Sequence, residues 1–504
     1  MSTGGFYVTT AIPYVNAAPH LGHALELVQA DVLARHRRLR GQPVRFLTGT
    51  DDNALKNVAA AAAAGVDVAA FVAANGARFA ELKETLVLSF DDFISTGSDK
   101  RHAPGVERLW RQSAARGDFY QRRYAGHYCQ GCEQFYDVAE LPGGLCPEHG
   151  TAPQTVTESN WFFRLSTYAD QVLDALESGR VRVEPATKRN EVLAFVRAGL
   201  AEISVSRPSS RAAGWGIPVP GDPEQVVYVW WDALANYITA LGYGGDADAY
   251  RTWWVDAAER VHVIGKGIVR FHAVYWLALL LSAGQPLPSA IFVHEYLAVD
   301  GAKLSKSAGN AVDPGALIER HGNDALRWWL LRDVARVGDT DFTEERLLAR
   351  YNQDLANGLG NLVNRTVSLV HRYRGGSIVA TPTPDGAVAL GDVARLCAAL
   401  PAGIDRALTA FDFRAATDAI WAVVTAANRL VEVERPWALA GLEQSGDAAA
   451  GERLDEILTA LVTACRLLAA ELTPFLPAGS ARLAAQLGDG SQVAAPQPVF
   501  PRLG

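Results

Sequence analysis

The sequence predicts a doubly wound α/β domain carrying an insertion, followed by an all-helical domain. Three observations carry this reading. Strand-like and helix-like stretches alternate over residues 1–115 and again over 211–300, the stretch 116–210 between them breaks into short turn-rich pieces, and beyond 345 nearly everything is helix-periodic.

In chain order, "FYVTTAI" reads as a strand, "HALELVQADVLARHRRL" as a helix and "VRFLTGT" as a strand. "DDNALKNVAAAAAAGVDVAAFVAANGARFAELKETLVL" reads as helix and "DDFIST" as the next strand. The pattern resumes at "VVYVWWDALANYITAL", "RVHVIGKGIVRFHAVYWLALLL" and "AIFVHEYLAVDG". Residues 301–345 form a connecting region, and 346–504 a helical domain interrupted by the loops "RYRGGSIVATPTPDG" and "GLEQSGDAAAGE".

Composition bounds the function. With 504 residues, 49% apolar and 20% charged, the chain has the make-up of an ordinary globular protein of roughly three domains. A net charge of −8 argues against a uniformly basic nucleic-acid coat, though not against a local basic face. The opening "MSTGGFYVTTAIPY" has no basic stretch leading into an apolar core, and the longest apolar run, "VYWLALLL", is far too short to span a bilayer. A cytoplasmic chain with no membrane partner is therefore expected, its five cysteines read as thiols or ligands before disulfides.

In "APHLGHALELVQAD", His20 and His23 follow the first strand and open the first helix. Ligands of open α/β sheets bind at strand carboxyl ends, and a helix start offers N–H groups and a positive dipole end to an anion such as phosphate. Gly22 would let a ligand approach the backbone closely. A metal site, lacking an obvious third ligand, and a purely structural pair are the alternatives. Far along the chain, "DGAKLSKSAGN" sets Lys303 and Lys306 in a loop of small residues, able to reach a polyphosphate or simply solvated.

Together "HLGH" and "KLSKS" resemble the HIGH and KMSKS signatures of class I aminoacyl-tRNA synthetases. The resemblance implies that His20, Gly22, His23, Lys303, Ser305 and Lys306 hold ATP, with His20, His23, Lys303 and Lys306 catalytic. The attacking group there is an already ionised amino-acid carboxylate, so positioning and positive charge do the work and no general base is needed. Lys306 falls to the departing pyrophosphate, and Mg²⁺ accompanies ATP.

"TAIPYVNAAPHLGH", "FLTGTDDNALKN", "SRPSSRAAGWGIPVPGDPEQVVYVWWDALANY", "GKGIVRFHAVYW" and "GNAVDPGALIERHGNDALRWWLLR" resemble the methionyl-tRNA synthetase family across nearly the whole chain. The resemblance implies a Rossmann-like catalytic domain, ATP, L-methionine and tRNA(Met) as partners, and a monomer. It implies a methionine pocket of Ile12, Tyr14, Asp51, Trp230, Ala233, Leu234, Tyr237, Ile268 and His272. An unbranched thioether suits such an aromatic and aliphatic slot, and Asp51 would hold the ammonium. Alternatives are an N-cap role for Asp51 and core roles for Trp230 and Tyr237. Many members of that family carry Glu-His-Gly where this chain has Asp52, Asn53 and Ala54. An insertion of about 95 residues is too small for the editing domain of valyl, isoleucyl and leucyl enzymes.

Within the insertion, "YCQGCEQFYDVAELPGGLCPEHG" spaces Cys129, Cys132, Cys146 and His149 as C-x2-C-x13-C-x2-H. Two short-spaced pairs suit one tetrahedral Zn²⁺, and four protein ligands leave no open position, so the zinc knuckle is structural. Cys397 and Cys465 fall in helix-periodic stretches as buried bystanders. Asn361 and Arg365 lie four apart on one helical face, and Trp437 follows a proline near a helix start. The resemblance makes these the anticodon readers of the α-helical domain, an aromatic stacking on a base while amide and guanidinium bond its edge. The alternative is a packing Trp and a surface pair. Small-molecule nucleotidyltransferases with an H-x-G-H element and a non-catalytic paralogue are the rival functions.

Overall fold

The computed structural model describes residues 4–129, 131, 134–148, 150–245, 247–299, 301–303, 311–378 and 391–504. The chain divides into two compact units. The first takes residues up to 84 and 88–296, with 311–312; the second takes 313 onward, with 85–87 and 297–303.

The first unit is built on six parallel strands: β1 (Phe6–Thr10), β2 (Val44–Thr50), β3 (Asp92–Ser95), β4 (Arg182–Glu184), β5 (Glu259–Gly265) and β6 (Ala290–His294). Their order is β3-β2-β1-β5-β6-β4. All five residues of β1 and all five of β6 are buried, as expected where helices cover both faces and apolar and polar residues need not alternate. Val8 on β1 sits between Phe46 and Val261. The strand order reverses between β1 and β5, so the crevice at their carboxyl ends is the position where open sheets bind ligands.

The 116–210 stretch does contain a separate antiparallel sheet, in which Phe119–Cys129 pairs with Gln154–Phe163. It is not wholly outside the main sheet, however. The three residues of β4 pair with β6, and the helices Ala169–Glu177 and Ala186–Arg197 bury Val172, Leu176, Val192 and Leu193 in the same core as Tyr7 and Ile264. A three-residue strand is too short to show a period, so the segment reads as loop in the sequence.

The second unit is helical apart from a small sheet of Leu297–Val299, Ala302–Lys303 and Thr340–Asp341. Helices Asn361–Arg374, Gly391–Thr409, Phe413–Glu434, Pro436–Gln444 and Ala448–Glu471 bury Leu362, Ile404, Ile420, Ala440 and Leu461. Arg327 is fully buried here, and its guanidinium donates to the carbonyls of Leu86, Pro474 and Phe475 at 2.9–3.0 Å, which removes the cost of an unsatisfied buried cation. Cys465 is buried and Cys397 half-buried, and burial raises both thiols, to about 12 for Cys465. Among the described residues no single helix is long and apolar enough to cross a membrane.

Candidate active site

Helix α1 (Leu21–Leu39) begins at His20, after the loop that leaves β1. His20 is the helix N-cap, its Nδ1 accepting the Gly22 N–H at 3.1 Å, while His23 Nδ1 accepts the His20 N–H at 3.0 Å. The rings stack with centroids 3.8 Å apart. A nitrogen that accepts from an N–H carries no proton, so in both neutral rings the hydrogen is on Nε2. The pair is thus two imidazoles locked in one tautomer with their donors on the far edge.

This corrects one expectation. The first helical N–H groups are not unpaired: Leu21 donates to Val312 O at 2.9 Å, Gly22 to His20 and His23 to His20 O at 2.9 Å. The histidines cap their own helix, so this helix start offers imidazole donors rather than free backbone amides. Gly22 is explained by the ring beside it, since a Cβ built there would lie 3.0 Å from His20 Cε1.

Asp51 is buried at the end of β2, bridged to Tyr14 in parallel register, with its amide donating to Pro13 O at 2.9 Å. It is not an N-cap: the next helix starts at Leu55 with Ala54 as cap and no side-chain bond. The Asp51 Oδ1 instead accepts the Asn53 N–H at 3.2 Å. Lys56 Nζ sits 5.0 Å from the Tyr14 ring centroid. The neighbouring Asp52 is buried too, and burial pushes its carboxyl up to about 6 against the opposing hydrogen bonds of Thr50 and the Gly97 N–H.

Helix α2 (Val229–Thr239) separates two tryptophans that the sequence sets side by side. Trp231 is core, packed among Trp110, Phe119 and Phe163. Trp230 is only half-buried and stacks face to face on Phe271 at 3.6 Å. Ala233, Leu234 and Tyr237 are buried on the same helical face as Trp230. The Tyr237 hydroxyl lies 2.7 Å from His272 Nε2, and His272 Nδ1 lies 2.9 Å from Ile268 O. A carbonyl can only accept, so Nδ1 carries the proton and Tyr237 donates to Nε2. Burial holds His272 down to about 4 and raises Tyr237 well above its ordinary range. Behind them His262, also kept neutral by burial, accepts from Trp276 Nε1 at 3.2 Å and meets Thr9 Oγ1 at 2.7 Å. Ile12 and Ile268 are partly buried against this core. The side chains packed around Tyr237 and His272 are therefore uncharged and largely aromatic.

Of the loop residues, Lys303 ends the short strand Ala302–Lys303, whereas Ser305 and Lys306 lie outside the described residues. Cys129 and Cys146 fall in one small buried cluster with Tyr136 and Leu141, and neither is in a disulfide; Cys132 and His149 lie outside the described residues. Among the described residues no group of three metal-ligating side chains forms. In the helical unit Asn361 is exposed and Arg365 half-buried at the start of Asn361–Arg374, and Trp437 is 48% exposed at the start of Pro436–Gln444. A core-packing role for Trp437 does not fit that exposure. Arg374 joins the two helices through Glu443 at 3.1 Å and reaches Asp455 at 2.5 Å.

Sequence reasoning missed the hydrogen-bonded chain that half-buried Asn53 forms with buried Asp232 and His102. It also missed His294, whose Nε2 pairs with Glu26 of α1 at 3.0 Å, and the stacking partner Phe271. Asp232 stands inside the quoted "YVWWDALANY", and its place opposite 230, 233, 234 and 237 on a helix was the available signal.

A profile for tRNA synthetases class I (M) matches residues 6–155 and 140–367. A methionine–tRNA ligase of Brucella suis is 40% identical over the whole chain and 98% of the relative, and one of Mycobacterium tuberculosis is 42% identical over 96% of this chain and 92% of the relative. The solved Mycobacterium tuberculosis methionyl-tRNA synthetase in complex with methionyl-adenylate superposes with a TM-score of 0.92 at 39% identity, covering 99% of this chain and 100% of that one. Its apo form gives 0.86 at 36% identity, covering 100% of this chain and 99% of that one. The chain belongs to the methionyl-tRNA synthetase family of class I tRNA synthetases.

Proposed function

We infer that this chain is a methionine–tRNA ligase, joining methionine to ATP as methionyl-adenylate with release of diphosphate, then transferring the methionyl group to tRNA(Met) with release of AMP. The observation that carries the reading is the His20–His23 pair at the carboxyl end of β1, beside the point where strand order reverses, in a chain of this family.

In this reading the Nε2–H edges of His20 and His23 meet the phosphates of ATP, and Lys303, Ser305 and Lys306 supply the positive charge and hydrogen bonds that stabilise the leaving diphosphate. Gly22 leaves room for the His20 ring and so keeps the pair stacked. The methionine side chain enters between Ile12, Tyr14, Trp230, Ala233, Leu234, Tyr237, Ile268 and His272. Its ammonium pairs with Asp51, which leaves the carboxylate to attack the α-phosphorus. Because the Tyr237 hydrogen is spent on His272, the hydroxyl oxygen meets the substrate as a lone-pair group unless the pair rearranges. Mg²⁺ enters with ATP.

The buried Cys129 and Cys146, in one small cluster, fit a structural zinc completed by Cys132 and His149, which would brace the insertion. Asn361, Arg365 and Trp437 read the anticodon; an exposed indole on a rigid helix suits base stacking. The ligase acts as a cytoplasmic monomer.

The test is ATP–diphosphate exchange with each of the twenty amino acids, followed by charging of tRNA(Met). Exchange driven by methionine alone, with charging, supports the reading. Exchange with none of them, or driven by another amino acid, overturns it.

A further inference from the structure

Four side chains behind the slot form a chain of hydrogen bonds that the reaction above does not use. Asn53 Nδ2 donates to Asp232 Oδ2 at 2.7 Å, His102 Nε2 holds the other carboxylate oxygen, and His102 Nδ1 lies 2.8 Å from Thr239 Oγ1. His102 and Thr239 are fully buried and Asp232 is 1% exposed. A carboxylate so deep is tolerated only with full pairing, and here every link is made.

One end of the chain touches the candidate substrate site, and the other lies on the helix that carries part of it. At one end the Asn53 N–H donates to Asp51 Oδ1 at 3.2 Å. At the other, Asp232 and Thr239 belong to α2, on the face opposite Trp230, Ala233, Leu234 and Tyr237. The loop is held from its other side as well. Gly97 N–H donates to Asp52 Oδ2 at 3.2 Å, and a Cβ on Gly97 would lie 2.9 Å from Asp52 Cβ.

We propose that His102 and Asp232 are positioning residues: through Asn53 they fix the Asp51 carboxylate relative to α2, and so set the spacing between the ammonium site and the thioether slot. This rests on Asp51 as the ammonium ligand. A histidine in place of Asn53 keeps an N–H donor for Asp232, which makes Asn53→His the conservative variant.

The discriminating ligand is 4-(methylthio)butanoate, which is methionine without its amino group. Calorimetric binding of this acid and of methionine is compared in wild type, Asn53→Ala, Asn53→His, His102→Gln and Asp51→Asn, with a melt on each. Asn53→Ala and His102→Gln should weaken methionine by about 10–100-fold, the worth of a hydrogen bond to a charged group, and leave the des-amino acid unchanged. Asn53→His should bind both as wild type does. Equal weakening of both ligands, or none for methionine, overturns the proposal. If Asp51→Asn abolishes the preference for methionine while Asn53→Ala and His102→Gln keep it, the proposal fails and the reading of Asp51 stands. If Asp51→Asn keeps the preference, the reading of Asp51 fails and takes the proposal with it.

Discussion

Replacing His272 by Asn should change how stability depends on pH, and the size of the change follows from the geometry. The ring is buried, donates from Nδ1 to Ile268 O and accepts from Tyr237 at Nε2, and burial lowers it from 6.5 to about 4. As pH falls through 6.5 the unfolded chain takes up a proton on this ring, while the folded chain does not until pH nears 4. The stability tied to the neutral ring is therefore complete above pH 6.5 and lost on the acid side, about 2 kcal/mol by pH 5 and about 3 kcal/mol below pH 4. An Asn side chain can still donate to Ile268 O but does not titrate, and it leaves the Tyr237 hydroxyl without its acceptor. At pH 7.5 the variant should be the less stable by about 1–3 kcal/mol. Urea unfolding of both proteins, followed by tryptophan fluorescence, should show that gap narrowing by about 2 kcal/mol between pH 7.5 and pH 5. Asp52, raised to about 6, works with the opposite sign, losing stability as pH rises from 3.8 to 6, but it is present in both proteins and cancels in the difference. A gap that stays constant with pH would refute the neutral, Tyr-paired ring.

Three further outcomes test the site. Lys306→Ala should slow methionyl-adenylate formation by on the order of 10²–10³ while leaving methionine binding unchanged, and unaltered exchange kinetics would remove Lys306 from the reaction. Metal analysis should find about one zinc per chain, lost in Cys146→Ser; a fully active protein free of zinc would refute the knuckle. Trp437→Ala should leave diphosphate exchange intact and weaken charging by about 1–3 kcal/mol, the worth of one base stack, with little change in the melt given its exposure. Parallel losses in exchange and charging would assign Trp437 to packing instead.

Much of the molecule is legible one residue at a time. The alternation over residues 1–115 and 211–300 predicts the parallel sheet, whose strands "FYVTT" and "AIFVH" are buried on both faces and so need not alternate polar with apolar residues. The helical periodicity past 345 likewise predicts the second unit. The mutual capping of His20 and His23 depends on a spacing of three at a helix start, which is a local property. Trp230 and Trp231 show the limit of that legibility. They are chemically identical neighbours, and only the 100° step between them on α2 sends one into the core and leaves the other half-buried on Phe271.

What the sequence determined by itself is therefore the class of fold, the histidine pair at the start of the first helix, and the spacing of the cysteines, all carried by short-range patterns. Tertiary structure alone decided the order of the strands, the membership of Arg182–Glu184 in the main sheet, and the self-capping of α1 by its own histidines. It alone decided that Asn53 meets Asp232, 179 residues away, and that Asp232 meets His102, 130 residues away. A side-chain pair at such separations exists only because strand order and helix rotation bring two backbones together, and no local pattern of polarity encodes either.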